Sequence, residues 1–190
     1  MSQQKVKSDK IIVVDLETTC TNEHAEQFQN EIIEIGLSVV NLQTLTAEKN
    51  LSLLIKPQRS EVTDFCTKLT GITPEDVADG LLLPEACEIL INEYQTNQYL
   101  WGSWGDFDRL IVNRECKQYK AKFPFNRQHL NIKADFALTY GLDELIGLDK
   151  ATKLVNLAFI GQHHRGVDDA RTTAQILIGM INRRRDSSGS

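Results

Sequence analysis

Five residues set far apart along the chain, Asp15, Glu17, Asp106, Asp169 and His164, are of the types that hold a divalent cation and activate water. Asp15 and Glu17 close the apolar run Ile11-Ile12-Val13-Val14. Side chains alternate along a strand, so these two carboxylates point to the same face and share one small volume. Like charges that close repel unless a proton or a cation lies between them. An all-oxygen ligand set suits Mg²⁺ or Mn²⁺. Each feature also has an ordinary explanation. Carboxylates often end strands, and an acid in the first turn of a helix, as expected for Asp106 and Asp169, is favoured by the helix dipole whatever its function. His164 lies in the wholly polar stretch Gln162-His163-His164-Arg165-Gly166. The combination is what points to a site.

The elements that must gather these residues are readable in outline. Residues 10–16 read as a buried strand, followed by a polar loop over 21–30, a second strand over 31–41 and a third over 47–56, in which Leu51, Leu53 and Ile55 recur at every second position. Together they read as an antiparallel meander. Thr73-Pro74-Glu75-Asp76 offers an N-cap, a first-turn proline and a partial capping box, and Pro84 opens a helix with Ala86, Ile89, Leu90 and Tyr94 on one side. Residues 98–104 read as a fourth strand that runs into a helix. The first turn of that helix holds Asp106, and its apolar side is expected to hold Phe107, Leu110 and Ile111. His129-Leu130-Asn131-Ile132 is a short fifth strand, and helical stretches follow over 133–140 and 149–159. A last helix starts near Gly166, just after His164, and carries Asp169 in its first turn with Val167, Ala170, Ala174, Leu177, Ile178 and Ile181 at helical spacing. The expectation is an α/β mixed sheet with packed helices and Asp15 on its central strand.

With 190 residues, 41% hydrophobic and 25% charged, the chain suits one domain with its own core. The expected organisation is a flexible N-terminus over 1–9, the domain over 10–183 and a disordered tail over 184–190. The first ten residues are polar and basic with no apolar h-region, and no run approaches the roughly 18 apolar residues of a membrane span. A cytoplasmic protein without membrane contact is expected. Cys20, Cys66, Cys87 and Cys116 form no paired ligand motif, so reduced, mostly buried thiols are expected.

A formal charge of -5 argues against a general polyanion binder. Asp15, Glu17, Asp106 and Asp169 supply four of the negative charges, however, and two divalent cations would take the total from -5 to -1. Arg114, Lys117, Lys120, Lys122, Arg127 and Lys133 fall within twenty residues and could line one side of a substrate groove, or simply form a solvated face.

Val14-Asp15-Leu16-Glu17-Thr18-Thr19-Cys20, Trp101-Gly-Ser-Trp-Gly-Asp106 and the His-x4-Asp run from His164 to Asp169 occur in one order, with Leu69-Thr70-Gly71-Ile72 between the first two. In these motifs the chain resembles the DEDDh 3′-to-5′ exonucleases over about residues 9–182. Thr-Thr-Cys, followed by Glu31-Ile-Ile-Glu-Ile-Gly, resembles the branch with the RNA-interference and histone-mRNA exonucleases. The resemblance implies an RNase H-like fold with a mixed five-stranded sheet, two Mg²⁺ or Mn²⁺ ions, and release of nucleoside 5′-monophosphates from single-stranded RNA or DNA 3′ ends. It further implies that Asp15, Glu17 and Asp169 hold one ion and Asp15 shares a second. Asp106 reaches the second ion mainly through water, and His164 takes the proton of the attacking water. Leu16, Thr18, Phe65 and Trp104 are implied at the terminal nucleotide. Two registers stay open in the residues themselves, since His163 with Asp168 has the same spacing as His164 with Asp169, and Asp108 competes with Asp106. The family pattern selects His164, Asp169 and Asp106. A DNA proofreading or repair exonuclease would use the same five residues. A non-catalytic nucleic-acid-binding module would be expected to have lost at least one. If the acids are only caps and surface charge, Asp15 and Asp169 should lie far apart.

Overall fold

The computed structural model describes residues 6–22 and 29–188. Five strands form one sheet in the order β3-β2-β1-β4-β5: β1 Lys7–Thr18, β2 Ile32–Asn41, β3 Thr46–Leu54, β4 Tyr99–Ser103 and β5 His129–Asn131. The β1–β2 and β2–β3 pairs are antiparallel, whereas β1–β4 and β4–β5 are parallel. The expected meander and mixed sheet are therefore present, and β1 is the central strand. The helices are α1 Asp64–Thr70, α2 Pro74–Ala78, α3 Leu83–Asn92, α4 Phe107–Gln118, α5 Ile132–Tyr140, α6 Leu148–Leu154 and α7 Gly166–Ser188.

The alternation along β1 divides the core. Ile12, Val14 and Leu16 pack on one face with Leu83, Leu90, Ile111 and Val112 of α3 and α4. Ile11 and Val13 pack on the other with Phe136 of α5, Ala151 of α6 and Ala174 and Leu177 of α7. Asp15 and Glu17 continue the second series, so the pattern that builds the core also turns both carboxylates toward α7. Where the strand passes the edge of the apolar layer, the same positions change from Ile and Val to acids.

Several boundaries differ from the sequence expectation. The first strand begins at Lys7, inside the segment expected to be flexible, because Asp9 accepts a 2.9 Å hydrogen bond from the Leu42 N–H and Lys7 pairs with Tyr99. Residues 1–5 of that segment, and 23–28 of the expected 21–30 loop, lie outside the described residues. Helix α6 stops at Leu154 and does not run on to 159. Asn156 takes a left-handed backbone angle, and the Leu157 N–H turns back to the Thr152 carbonyl. The tail expected to be disordered from 184 is helical through Ser188. Arg184 reaches Asp135 and Thr139 on α5, and Arg185 reaches the Leu42 carbonyl at 2.8 Å. Residues 189–190 lie outside the described residues. The caps follow the expectation closely: Thr73 and Asp76 form a complete capping box with Pro74 at the start of α2. All four cysteines are free thiols. Among the described residues, no helix is long and apolar enough to cross a membrane.

Candidate active site

Because β1 and β4 are parallel, their C-terminal ends open on the same edge of the sheet, the usual place for a binding crevice in such sheets. A cleft of about 390 Å³ lies there. Asp15, Glu17, Asp108, Asp169, His163 and His164 line its polar side, and Leu16, Leu69, Trp104, Phe107 and Leu148 line its apolar side.

Two elements bring three of the acids together. Asp15 and Glu17 come from β1, and Asp169 comes from the first turn of α7. Carboxylate oxygens of these three lie within 4.8 Å of one another, which excludes the reading as unrelated caps and surface charge. The N-terminus of α7 is fixed by Glu34, which lies opposite Glu17 on β2 and is fully buried. Its carboxylate accepts from the Gly166 N–H at 2.9 Å and from Ser52 Oγ at 2.7 Å, and sits 3.4 Å from the Arg165 guanidinium. The close approach of helix and strand depends on Gly36, where an added Cβ would lie 1.9 Å from the Gly166 carbonyl carbon. This explains the local sequence Glu34-Ile35-Gly36: one residue caps the helix and the other lets it approach.

The fourth carboxylate that lines the cleft is that of Asp108, not Asp106. The expectation for the second motif placed Asp106 in the site, but its side chain is 47% exposed and is bound by Arg109 at 3.0 Å and Asn131 at 2.8 Å. Asp108 is 5% exposed, lines the cleft and accepts a 2.9 Å hydrogen bond from the Leu16 N–H. The reason lies in the facing of α4. Its buried positions are Asp108, Ile111, Val112, Glu115 and Cys116, a regular helical stripe, whereas Phe107 and Leu110 are more than half exposed. The expected apolar side of Phe107, Leu110 and Ile111 is thus rotated. The stripe starting at residue 108 was the signal that identifies Asp108.

Burial and mutual repulsion dominate the electrostatics. Burial, followed by the charges of Asp108, Asp169 and Glu17, holds the Asp15 carboxyl well above its usual range. Burial and the charge of Asp169 push Glu17 up to about 8. Asp108 is raised to about 6 by burial, against the opposing Leu16 hydrogen bond, and burial also raises Asp169. An acid cluster of this kind takes up protons near neutral pH unless cations replace them. The donor set, all carboxylate oxygen on rigid elements, fits hard divalent cations.

Both histidines of the third motif reach the cleft, stacked with ring centroids 4.0 Å apart. His163 Nδ1 lies 3.1 and 3.2 Å from the two Asp169 oxygens. His164, at a left-handed backbone angle of 65° where the chain turns into α7, has its ring pKa lowered by burial and by His163. Asp168 binds the Gln162 N–H at 2.9 Å and Arg171 at 3.2 Å, so it fixes the loop that carries both histidines.

Of the four residues expected at the terminal nucleotide, Leu16, Thr18 and Trp104 line the cleft and Phe65 does not. Leu69 and Thr70, one turn further along α1, take that place, just before the left-handed Gly71 that ends the helix. Of the basic residues expected along a groove, Arg114 is engaged with Asn30 and Glu115.

Residues 12–177 match the Exonuclease family (RNase_T). Human 3'-5' exoribonuclease 1 is 27% identical over 189 residues, which take in 91% of this chain and 52% of that protein. Human ERI1 exoribonuclease 2 is 27% identical over 204 residues, covering 95% and 29%. The chain thus spans about half the length of the first relative and under a third of the second. The nuclease domain of 3'hExo, a DEDDh family member, bound to rAMP, shares the fold with a TM-score of 0.82 at 24% identity, over 94% of each chain. The architecture is accordingly the RNase H-like one expected from the motifs.

Proposed function

Because the chain belongs to the Exonuclease family, we propose that it is a metal-dependent 3′-to-5′ exonuclease that releases nucleoside 5′-monophosphates from single-stranded nucleic acid, RNA in preference to DNA. The observation that carries this reading is the convergence of Asp15, Glu17, Asp108 and Asp169 on one cleft beside His164.

Asp15, Glu17 and Asp169, with Asp108 beside them, are the residues that would hold two Mg²⁺ or Mn²⁺ ions. Such ions supply Lewis acidity, making water more acidic and offsetting the charge that builds on the phosphate and the leaving oxygen. Asp15, which carries the repulsion of Asp108, Asp169 and Glu17, would be the ligand shared by both ions. His164 accepts the proton of the attacking water on a ring nitrogen. Its lowered pKa keeps the imidazole neutral and able to do so, while His163 Nδ1 is taken up by Asp169. The water oxygen bonds to phosphorus, the bond from phosphorus to the 3′ oxygen breaks, and that oxygen takes a proton from solvent as His164 gives its own back to solvent. Leu16, Leu69 and Trp104 offer the terminal base an apolar wall, which grips a base without reading its identity. The volume of the cleft suits a ligand of nucleotide size.

The preference for RNA is supported by relatives named as exoribonucleases and by the rAMP in the 3'hExo structure. Single-stranded RNA and DNA of matched sequence, each with a free 3′ end, test it. Faster release of ribonucleotides is expected, and equal or faster release from DNA rejects the preference.

A further inference from the structure

The third motif carries one histidine more than the proposed hydrolysis uses. Adjacent side chains on an extended backbone point to opposite sides. His164 takes a left-handed angle of 65°, and the two rings lie on the same side, stacked at 4.0 Å with 20° between their planes. Phe159 packs edge-on against the His163 ring at 5.0 Å, and the His163 side chain is 41% exposed, so an ion from solution reaches it. The half-buried His164 ring makes no hydrogen bond among the described residues. A ring nitrogen of each histidine and a carboxylate oxygen of Asp169 lie within 4.8 Å of one another. His163 Nδ1 and Asp169 Oδ2 are 3.1 Å apart. Bonds of about 2.0 Å to nitrogen and about 2.1 Å to oxygen place two ligands of one tetrahedral zinc ion about 3.3 Å apart, so this pair is already close to that spacing.

We propose that His163, His164 and Asp169 form a separate site for Zn²⁺, and that filling it halts turnover. The second half rests on the reading of His164 as the base of a nuclease. Two imidazole nitrogens with one carboxylate suit Zn²⁺, whereas the all-carboxylate set of Asp15, Glu17 and Asp169 suits Mg²⁺ or Mn²⁺. Three protein ligands leave the fourth zinc position to water. On binding, the proton that His163 Nδ1 shares with Asp169 passes to solvent and the cation takes its place between them. A neutral imidazole has one nitrogen lone pair. Once His164 gives that pair to zinc, it has none left to accept a proton from the attacking water. One Asp169 oxygen is drawn to the same ion, so the two sites share a ligand and each cation feels the other.

The test reads Zn²⁺ affinity by competition with a chromophoric chelator, and Mn²⁺ affinity by calorimetry, both without nucleic acid. It compares the wild-type chain with His163→Ala, His164→Ala and Asp15→Asn. Each histidine variant is expected to bind Zn²⁺ more than about tenfold more weakly, since losing a ligand costs more than losing an outer partner, and to keep its Mn²⁺ affinity. Asp15→Asn should do the reverse. At saturating Mn²⁺, added Zn²⁺ is expected to stop nucleotide release by the wild-type chain, and a zinc-selective chelator to restore it. His163→Ala, measured against its own zinc-free rate, should need more than about tenfold more Zn²⁺ for the same inhibition. Equal inhibition of these two chains, or Zn²⁺ binding lost in Asp15→Asn and kept in both histidine variants, would put the ion among the carboxylates and overturn the proposal. Histidine ring resonances of the wild-type chain with and without Zn²⁺ decide the point even if a variant fails to fold. Those of two histidines are expected to move, and no movement overturns the site. Zn²⁺ bound through the histidines of a chain that degrades no oligonucleotide in Mn²⁺ alone would remove the nuclease reading and leave the zinc site standing. Full turnover with Zn²⁺ bound would overturn the proposal and leave the nuclease reading.

Discussion

The Asp108 carboxylate accepts a 2.9 Å hydrogen bond from the main-chain N–H of Leu16, the residue between Asp15 and Glu17. The second motif is thereby tied to the first at the point where the two carboxylates diverge from the core. Asp108→Asn is expected to remove several kcal/mol of transition-state stabilisation, about a hundredfold or more in kcat. Asp106→Asn, at an exposed position outside the cleft, is expected to lose far less. Steady-state kinetics on one oligonucleotide ranks the two, and the reverse ranking would return Asp106 to the site.

Asp15→Asn is expected to abolish nearly all turnover while leaving the fold intact. Asp15 carries the repulsion of Asp108, Asp169 and Glu17, so the neutral amide should also raise the melting temperature of the metal-free protein. Retention of more than a few per cent of wild-type turnover at saturating Mn²⁺ would mean that Asp15 is not the shared ligand.

The raised carboxyl groups set a pH dependence whose sign is opposite to that of a stabilising salt bridge. Glu17 rises from 4.5 to about 8 and Asp108 from 3.8 to about 6. Between roughly pH 4 and 8 the folded, metal-free protein therefore binds more protons than the unfolded chain, and stability falls as pH rises through that window. Mn²⁺ replaces those protons, so its stabilisation should grow with pH over the same range. At one hundred times its Kd a ligand contributes about 2.7 kcal/mol per site. Melting curves at pH 5 and 8 with and without Mn²⁺ check this, and a shift on adding Mn²⁺ that is absent or unchanged with pH would contradict it.

His164→Ala is expected to lose about 10²–10⁴-fold in kcat with Mn²⁺ affinity retained, as for removal of a general base. His163→Ala should lose much less, since its Nδ1 serves Asp169. Asp169→Asn should lose both cation affinity and turnover, whereas Asp168→Asn loosens only the loop held through Gln162 and Arg171. Turnover and calorimetry on the four variants distinguish this from a register one residue earlier, in which His163 and Asp168 are the essential pair.

Much of this arrangement was legible in the chain because it follows from local periodicity. The run Ile11 to Val14 ending in Asp15 and Glu17 specifies a strand and the face of both acids. Proline and threonine mark the start of α2, and the spacing from Val167 to Ile181 shows α7. What misled was a helix whose apolar residues lie on two sides. Phe107 and Leu110 drew the expected inner face of α4 away from Asp108, yet both are exposed, and the inner stripe includes the acids Asp108 and Glu115. Hydrophobicity alone cannot identify a face that buries carboxylates at a site. The extents of β1 and α7 were missed for a different reason. Long-range contacts fix them, from Asp9 to Leu42 and from Arg184 to Asp135, and no local pattern encodes those.

The central claim is hydrolysis from a 3′ end by the carboxylate site, and one comparison tests it most directly. Internally labelled single-stranded RNA is offered as a linear strand with a free 3′-hydroxyl, as the same strand with a blocked 3′ end, and as a covalent circle, each with Mn²⁺ and with EDTA. The expected result is nucleoside 5′-monophosphate from the free end alone, abolished by EDTA and by Asp15→Asn. Cleavage of the circle at a comparable rate, or release that persists in EDTA, would contradict it.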